Sequence, residues 1–290
     1  MSSNPVSGRA AELGGEALCG SDTSAAAVGY DATPSDDVKE YFEEAYQRRV
    51  YNPLEDPTAT ERLFRLCRQW QAEGRTVIFN SGVYDLMHGN HRAFMLHTRM
   101  AGAGTHWKKF SADSAGRKWE DLSPQERADY TKQLLLEGRL KQVVSVRGND
   151  SVAERKGNKP EKGGAPRPIY DWETRARDVM SASVEVEAGV VLPLADAVTV
   201  HDEVIPELAE TPHNDIMSIA AFLQPDVWSL YFESQYIIDA IESDENGRFT
   251  NMDVLVLTGR DFYSDRLLGG PFTTTNITRR LGGSALNGGK

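Results

Sequence analysis

Residues 76–91 read TVIFNSGVYDLMHGNH, and they carry the clearest signal of the fold. It opens with a run of β-branched and aromatic residues, 76–80, that favours a strand. Gly82 then marks a turn, and a helical pattern covers about residues 89–101. The stretch therefore predicts a strand, a loop and a helix in direct succession.

The same alternation continues along the chain. Short β-rich runs predict further strands at residues 142–146, 197–200, 226–230 and 252–257. Helices are expected from Asp171 onward and at residues 211–223, 234–244 and 274–281, the first of these three with Thr211 as N-cap and Pro212 as its first residue. Alternating strands and helices imply an α/β fold with a doubly wound parallel sheet of about five strands.

Composition divides the chain into three parts. Residues 1–35 are rich in Ser, Ala, Gly and Asp, which predicts a disordered tail. Residues 36–74 are expected to form a helical extension, with helices over 36–50 and 58–74. Residues 75–290 are expected to form one catalytic domain. It carries an insertion at 103–140, in which Ser123 and Glu126 predict a capped helix.

Charge and hydropathy exclude several classes of protein. The formal net charge of −11 argues against general binding to nucleic acid or to anionic membranes, so no nucleic acid and no membrane partner is expected. No run of about 18 apolar residues is present, and the first residues lack the pattern of a secretory signal. A cytoplasmic location is therefore expected. Cys19 and Cys67 do not indicate a disulfide framework.

Two histidines are candidates for binding a phosphate. His88 and His91 stand three positions apart at the start of the predicted helix, so both side chains share one face. In parallel sheets, ligands bind beyond the carboxyl ends of the strands, where helix N-termini favour anions. Both imidazoles can therefore donate hydrogen bonds to one phosphate.

The pattern Gly82-x-Tyr84-Asp85-x-x-His88-x-x-His91 resembles the G-x-[FY]-D-x-x-H-x-G-H signature of the cytidylyltransferase-like nucleotidyltransferases, a superfamily with a Rossmann-like sheet. The resemblance implies that both histidines bind a nucleoside triphosphate and stabilise the transition state at its α-phosphate. One residue departs from the signature: the glycine between the histidines is Asn90 here. The nucleotide is then expected to lie slightly differently, or activity to be reduced.

Further segments extend the resemblance over residues 75–281, apart from the insertion. It implies that Arg99 anchors the phosphate of the acceptor, and that Arg175, after a basic loop and an Arg-Pro-Ile segment at 167–169, contacts the triphosphate. Residues 272–281, FTTTNITRRL, match a motif that holds the β- and γ-phosphates. For Asp85, fixing the loop is favoured over acting as a base. The implied nucleotide-binding residues are Ser81, Gly82, Val83, Tyr84, Thr273, Thr274, Thr275 and Arg279.

The function that follows is transfer of a nucleoside monophosphate to a small phosphorylated acceptor, with release of pyrophosphate. CMP from CTP is favoured and AMP from ATP remains open, Mg²⁺ accompanies the triphosphate, and a homodimer is expected because the family is often dimeric. One alternative is a non-catalytic nucleotide-binding module, motivated by Asn90. Another is a metal-dependent hydrolase that uses His88, His91 and a carboxylate, with His97 as a further ligand. The acceptor is left open.

Overall fold

The structure is a computed structural model, and it describes residue 46 and residues 49–111, 116–157, 167–202, 215–231 and 235–257. The predicted tail (1–35), the predicted last helix (274–281) and the implied phosphate-binding residues Thr273, Thr274, Thr275 and Arg279 lie outside these ranges. Most of the helix predicted over residues 36–50 lies outside them as well.

The strands form two sheets. Their bounds are β1 (Val50–Tyr51), β2 (Thr76–Gly82), β3 (Leu140–Arg147), β4 (Ser183–Glu187), β5 (Val190–Pro193), β6 (Ala197–His201), β7 (Val227–Tyr231) and β8 (Asp253–Leu257). Six of them build one sheet in the order β1-β6-β3-β2-β7-β8, and every pair in it is parallel. The strands β4 and β5 form a separate antiparallel pair.

Seven α-helices accompany the strands within the described ranges. They are α1 (Ala59–Ala72), α2 (Gly89–His106), α3 (Pro124–Leu136), α4 (Asn149–Lys156), α5 (Trp172–Ser181), α6 (Ile216–Leu223) and α7 (Gln235–Glu242). A π-helical turn, Trp107–Ser111, continues α2, and a 3₁₀ turn, Trp119–Asp121, precedes α3. In this part of the chain, no helix is long and apolar enough to cross a bilayer.

Helices cover both faces of the six-stranded sheet. On one face, α1, α6 and α7 pack on Val77, Phe79 and Trp228. On the other face, α2 and α5 pack on Val144 and Val146, while α3 joins α2 above β2. Neighbouring residues of a strand point to opposite faces, so a strand buried on both sides is apolar throughout. This is the doubly wound α/β architecture that the alternation predicts, and it is Rossmann-like.

The strand order reverses at β2. From β2 the chain moves to β3 and then β6 on one side of the sheet, and later to β7 and β8 on the other side. The connections that leave β2 and β7 therefore diverge and open a crevice beyond the carboxyl ends of these two strands. Such a switch point is where open α/β sheets bind ligands.

The structure corrects the strand count. The parallel sheet has six strands rather than about five, because Val50 and Tyr51, predicted to end a helix or lie beside one, pair with Val198 and Thr199. Helix α1 buries Leu63 against the sheet in the same core as Phe79. The segment predicted as a helical extension therefore belongs to the layers of the domain.

Helix boundaries agree less well than helix positions. The described part of α6 is capped by Asp215, whose side chain accepts from the Ser218 amide at 2.9 Å, and the predicted cap Thr211 lies outside the described ranges. In contrast, Ser123 and Glu126 form the predicted capping box at the start of α3, which confirms that boundary. The antiparallel pair of β4 and β5 is not predicted by the sequence analysis.

Candidate functional site

The loop after β2 has an unusual backbone. Tyr84 and Leu86 both lie in the left-handed region, at φ 53° and 54°, which side chains other than glycine adopt at a cost of about 1–3 kcal/mol. A Cβ on Gly82 would lie 2.8 Å from the Tyr84 ring, so the glycine of the pattern is required for packing. The surrounding structure holds this loop in a conformation that it would not adopt alone.

Tyr84 anchors the loop from inside. Its ring is buried, and its hydroxyl donates to Asn80 Oδ1 at 2.7 Å, a residue of β2. Burial also raises the pKa of Tyr84, so the phenol stays neutral. The structure therefore gives the Tyr84 side chain a supporting role, whereas Ser81, Gly82 and Val83 are partly exposed at the carboxyl edge of the sheet.

Asp85 joins this loop to the segment before α5. Its buried carboxylate accepts from the Arg167 guanidinium and from the backbone amides of Ile169 and Tyr170, at 3.0–3.1 Å for the amides. The partners leave the carboxylate neutralised and well hydrogen-bonded, as a buried charge requires. These contacts agree with the loop-fixing role expected for Asp85.

Arg175 holds the same region together. Its guanidinium is 0% exposed and donates to four carbonyl oxygens, including Val83 O at 2.9 Å and Arg147 O at 2.7 Å, and to Asn149 Oδ1 at 2.7 Å. Burial lowers its pKa to about 10, so it remains charged. All three nitrogens are engaged with the protein. The Arg175 side chain therefore joins the loop after β2 to the end of β3, and the triphosphate contact that the resemblance implies for it stays a prediction.

His88 and His91 lie together at the start of α2. Their rings stack with centroids 3.8 Å apart and planes inclined by 20°, and His91 also meets the edge of the Tyr84 ring at 5.3 Å. His88 is the N-cap residue of α2, with extended backbone. The structure therefore brings together the two histidines that the sequence pattern singles out.

The surroundings of His88 favour the neutral form of its ring. Burial, together with the nearby Arg167 guanidinium, lowers the pKa of His88 to about 4. Among the residues that the structure describes, His88 Nδ1 is buried with no hydrogen-bond partner. A neutral imidazole carries one N–H donor. The start of a helix also favours an anion, because the helix dipole and the N–H groups of its first turn point towards it.

The neighbouring strand ends are built differently. Asp202, which follows β6, accepts from the amides of Asp150 and Ser151 at 3.2 and 2.8 Å and so caps α4. Asp202 also fills the space that a side chain on Gly148 would need, since a Cβ there would lie 2.0 Å from Asp202 Oδ2. Asp202 and the start of α4 thus occupy the space directly beyond the carboxyl ends of β3 and β6. Neither Asp202 nor Asn149 belongs to a recognisable local pattern, so neither is predicted from the sequence.

Arg99 lies at the end of the strands opposite to the histidine pair. Its buried guanidinium donates to Leu140 O at 2.8 and 3.1 Å, at the start of β3, and also to Pro193 O and to the Asp196 carboxylate. Leu140 begins β3 and Asp196 precedes β6, so Arg99 lies at the amino ends of these parallel strands, while His88 follows a carboxyl end. The structure thus gives Arg99 structural contacts and does not bring it together with the histidine pair; the acceptor-phosphate role that the resemblance implies stays a prediction.

Two further features bear on the chemistry. Asn90, which replaces the glycine of the signature, is 3% exposed, so its side chain packs inside the protein rather than into the crevice. Within the described ranges, no group of three or more His, Cys, Asp or Glu side chains is arranged to hold a metal ion. This part of the chain therefore offers no support to the metal-dependent hydrolase alternative.

Comparisons with known proteins add no relative. No protein-family model matches the chain, and no curated protein matches it.

Proposed function

We propose that this protein is a nucleotidyltransferase that moves a nucleoside monophosphate from a nucleoside triphosphate to a small phosphorylated acceptor. The observation that carries the proposal is the His88 and His91 pair, with ring centroids 3.8 Å apart, at the N-terminus of the helix that follows β2. That position lies at the switch point of the sheet, where anionic ligands are favoured. The signature Gly82-x-Tyr84-Asp85-x-x-His88-x-x-His91 supports the same reading.

In the proposed reaction, an oxygen of the acceptor's phosphate attacks the α-phosphorus of the triphosphate. The bond from that phosphorus to the bridging oxygen of the β-phosphate breaks, and pyrophosphate leaves with the electron pair. Charge grows on the oxygens of the α-phosphate, and His88 and His91 donate hydrogen bonds to them. Donors fixed before the reaction lower the barrier because they need no reorganisation.

The remaining residues hold this arrangement. Asp85 and Arg175 fix the loop that leads to His88, through contacts with the segment before α5 and with the end of β3. The amides of the first turn of α2 bind phosphate oxygens. Mg²⁺ neutralises phosphate charge when it accompanies the triphosphate. CTP is favoured over ATP because the signature and residues 272–281 resemble the corresponding motifs of cytidylyltransferases.

The direct test measures pyrophosphate release from CTP and from ATP, each with Mg²⁺ and a panel of polyol, sugar and amino-alcohol phosphates. We expect release with at least one pair of substrates. His91→Ala is expected to lower kcat by on the order of 10² or more, because one lost transition-state donor costs about 3 kcal/mol.

His97→Ala serves as the matched control, because it also removes an imidazole from α2. His97 lies nearly two helical turns beyond His91. Its turnover is expected to stay near that of the wild type. Equal turnover of the wild type and His91→Ala would show that His91 takes no part in catalysis.

A second candidate function is a nucleotide-binding module without catalysis. It is favoured by Arg175, which the resemblance assigns to the triphosphate but which spends its donors on backbone carbonyls and Asn149. In that case calorimetry would detect CTP or ATP binding that His88→Ala/His91→Ala loses, while no acceptor yields pyrophosphate.

A further inference from the structure

A cavity of about 320 Å³ opens beyond the carboxyl end of β1, away from the histidine pair. It lies between the end of β1, the start of α1 and the start of α5. In the sheet β1 is the third neighbour of β2, which separates the two positions by about 14 Å at the usual strand spacing. Cavities of this size with a few polar groups are typical of small-molecule sites. Its lining residues are Tyr46, Val50, Asn52, Glu55, Asp56, Arg62, Trp172, Glu173 and Arg177.

Asn52 gives the cavity an unused hydrogen-bond donor. The residue is 7% exposed, and its Oδ1 accepts from the Leu54 amide at 3.0 Å, which fixes the orientation of the side-chain amide. In the part of the chain that the structure describes, Asn52 Nδ2 is buried with no hydrogen-bond partner. Buried donors without an acceptor are rare and costly. An occupant that presents an acceptor to Nδ2 would remove this cost.

The charges of the lining disfavour an anionic occupant. Asp56 and Arg62 form an ion pair at 2.6 Å and cancel each other. The remaining charged side chains are Glu55, Glu173 and Arg177, so the lining carries one excess negative charge. A phosphate or carboxylate would be repelled. A simple alkylammonium ion would suit the charge but offers no acceptor to Asn52.

The walls of the cavity are flat. Trp172 contributes an indole, and the Arg177 guanidinium lies over the Tyr46 ring at 4.2 Å. Such planar groups stack on planar ligands. The occupant is therefore neutral, flat and able to accept a hydrogen bond beside carboxylates that can accept from it.

We infer that this cavity binds the base of a nucleoside, as a site separate from the triphosphate site. A nucleobase is neutral and planar, and it carries ring acceptors for Asn52 Nδ2 next to N–H donors for Glu55 or Glu173. The site does not depend on the proposed catalytic function, since none of its lining residues belongs to the histidine pair or its supporting loop.

The test titrates cytidine, uridine, adenosine and guanosine into the full-length protein by calorimetry. At least one nucleoside is expected to bind. Asn52→Asp keeps the Oδ1 acceptor for Leu54 but loses the donor, and it is expected to weaken binding by about tenfold or more. Trp172→Leu removes the planar wall and is expected to weaken binding as well.

Asn251→Asp is the matched control, because it makes the same chemical change at an exposed turn before β8. It is expected to bind as the wild type does. The variant His88→Ala/His91→Ala is also expected to keep nucleoside binding. The inference is overturned if no nucleoside binds at millimolar concentration, if Asn52→Asp binds normally, or if the double histidine variant loses binding. Preferential binding of choline would overturn it too.

Discussion

Both edges of the six-stranded sheet contain buried arginine and aspartate side chains, yet they are built for different purposes. At the amino edge, Asp196 pairs with Arg99 and with Lys141, and it also accepts from the Gln142 amide at 2.9 Å. These contacts join the starts of β3 and β6. They leave the Asp196 carboxylate and the Arg99 guanidinium fully engaged.

At the carboxyl edge, the same residue types hold a loop instead of strand ends. Asp85 and Arg167 pair beside the left-handed residues Tyr84 and Leu86, while His88 keeps a buried nitrogen with no partner among the described residues. Strained backbone and unsatisfied polar groups cluster where proteins bind ligands. A buried ion pair alone therefore does not indicate a functional site. The site is indicated by the structure that the ion pair holds in place, which here is the strained loop before His88.

The largest effect is expected from breaking the amino edge. Arg99→Ala leaves the Asp196 carboxylate buried and short of its partner, which is expected to lower the free energy of unfolding by about 3–5 kcal/mol. Urea unfolding followed by circular dichroism measures this loss. Nucleotide affinity per folded molecule is expected to be unchanged, because Arg99 lies at the edge opposite to His88.

The control for this prediction is Arg65→Ala. Arg65 pairs with Glu61 across one turn of α1, with side chains 63% and 59% exposed, so its loss is expected to cost no more than about 0.5 kcal/mol. Equal losses in Arg99→Ala and Arg65→Ala would contradict the structural role of the buried pair.

An intermediate effect is expected from Arg175→Lys. Lysine keeps the charge but cannot reach Val83 O, Arg147 O and Asn149 together, so we expect a loss of about 2 kcal/mol in the free energy of unfolding. The loop before His88 is released at the same time. Calorimetric affinity for CTP or ATP, corrected for the folded fraction, is therefore expected to fall by about tenfold.

Arg99→Lys is the matched comparison, since it makes the same exchange at the amino edge. It is expected to lose stability without losing nucleotide affinity. If both lysine variants lost affinity alike, the two edges would not differ in function.

The smallest effect is expected from pH. Because burial and Arg167 lower the pKa of His88 from 6.5 to about 4, the unfolded chain binds a proton between these values that the folded chain does not bind. The contribution to stability is full above about pH 6.5 and is lost as the pH falls towards 4. We expect about 1 kcal/mol of loss at pH 5, a value discounted because the ring is partly exposed and screened.

Urea unfolding at pH 7 and pH 5 measures this loss, and His88→Asn provides the reference. The variant retains every other titrating group, so the wild type is expected to lose more stability than the variant over this interval. An identical pH dependence in the two proteins would show that His88 titrates normally.

The sequence predicted the fold because the decisive signals are local. A β-rich run followed by a glycine turn and a helix is visible in residues 76–91 alone, and β2 and α2 occur there. The spacing of His88 and His91 likewise predicted that the two side chains share one face at a helix start. The sixth strand escaped prediction since Val50 and Tyr51 form a strand too short to carry a periodicity.

Hydrophobic periodicity and helical spacing over a few residues are enough to predict the parallel α/β architecture and the juxtaposition of His88 and His91. Which arginines lie near the histidine pair depends instead on tertiary contacts. Arg99 and Arg175 look alike in sequence, but one guanidinium meets the amino ends of strands and the other meets the loop after β2. Where a long side chain finds its acceptors depends on carbonyls far away in the chain, and no local pattern records that distance.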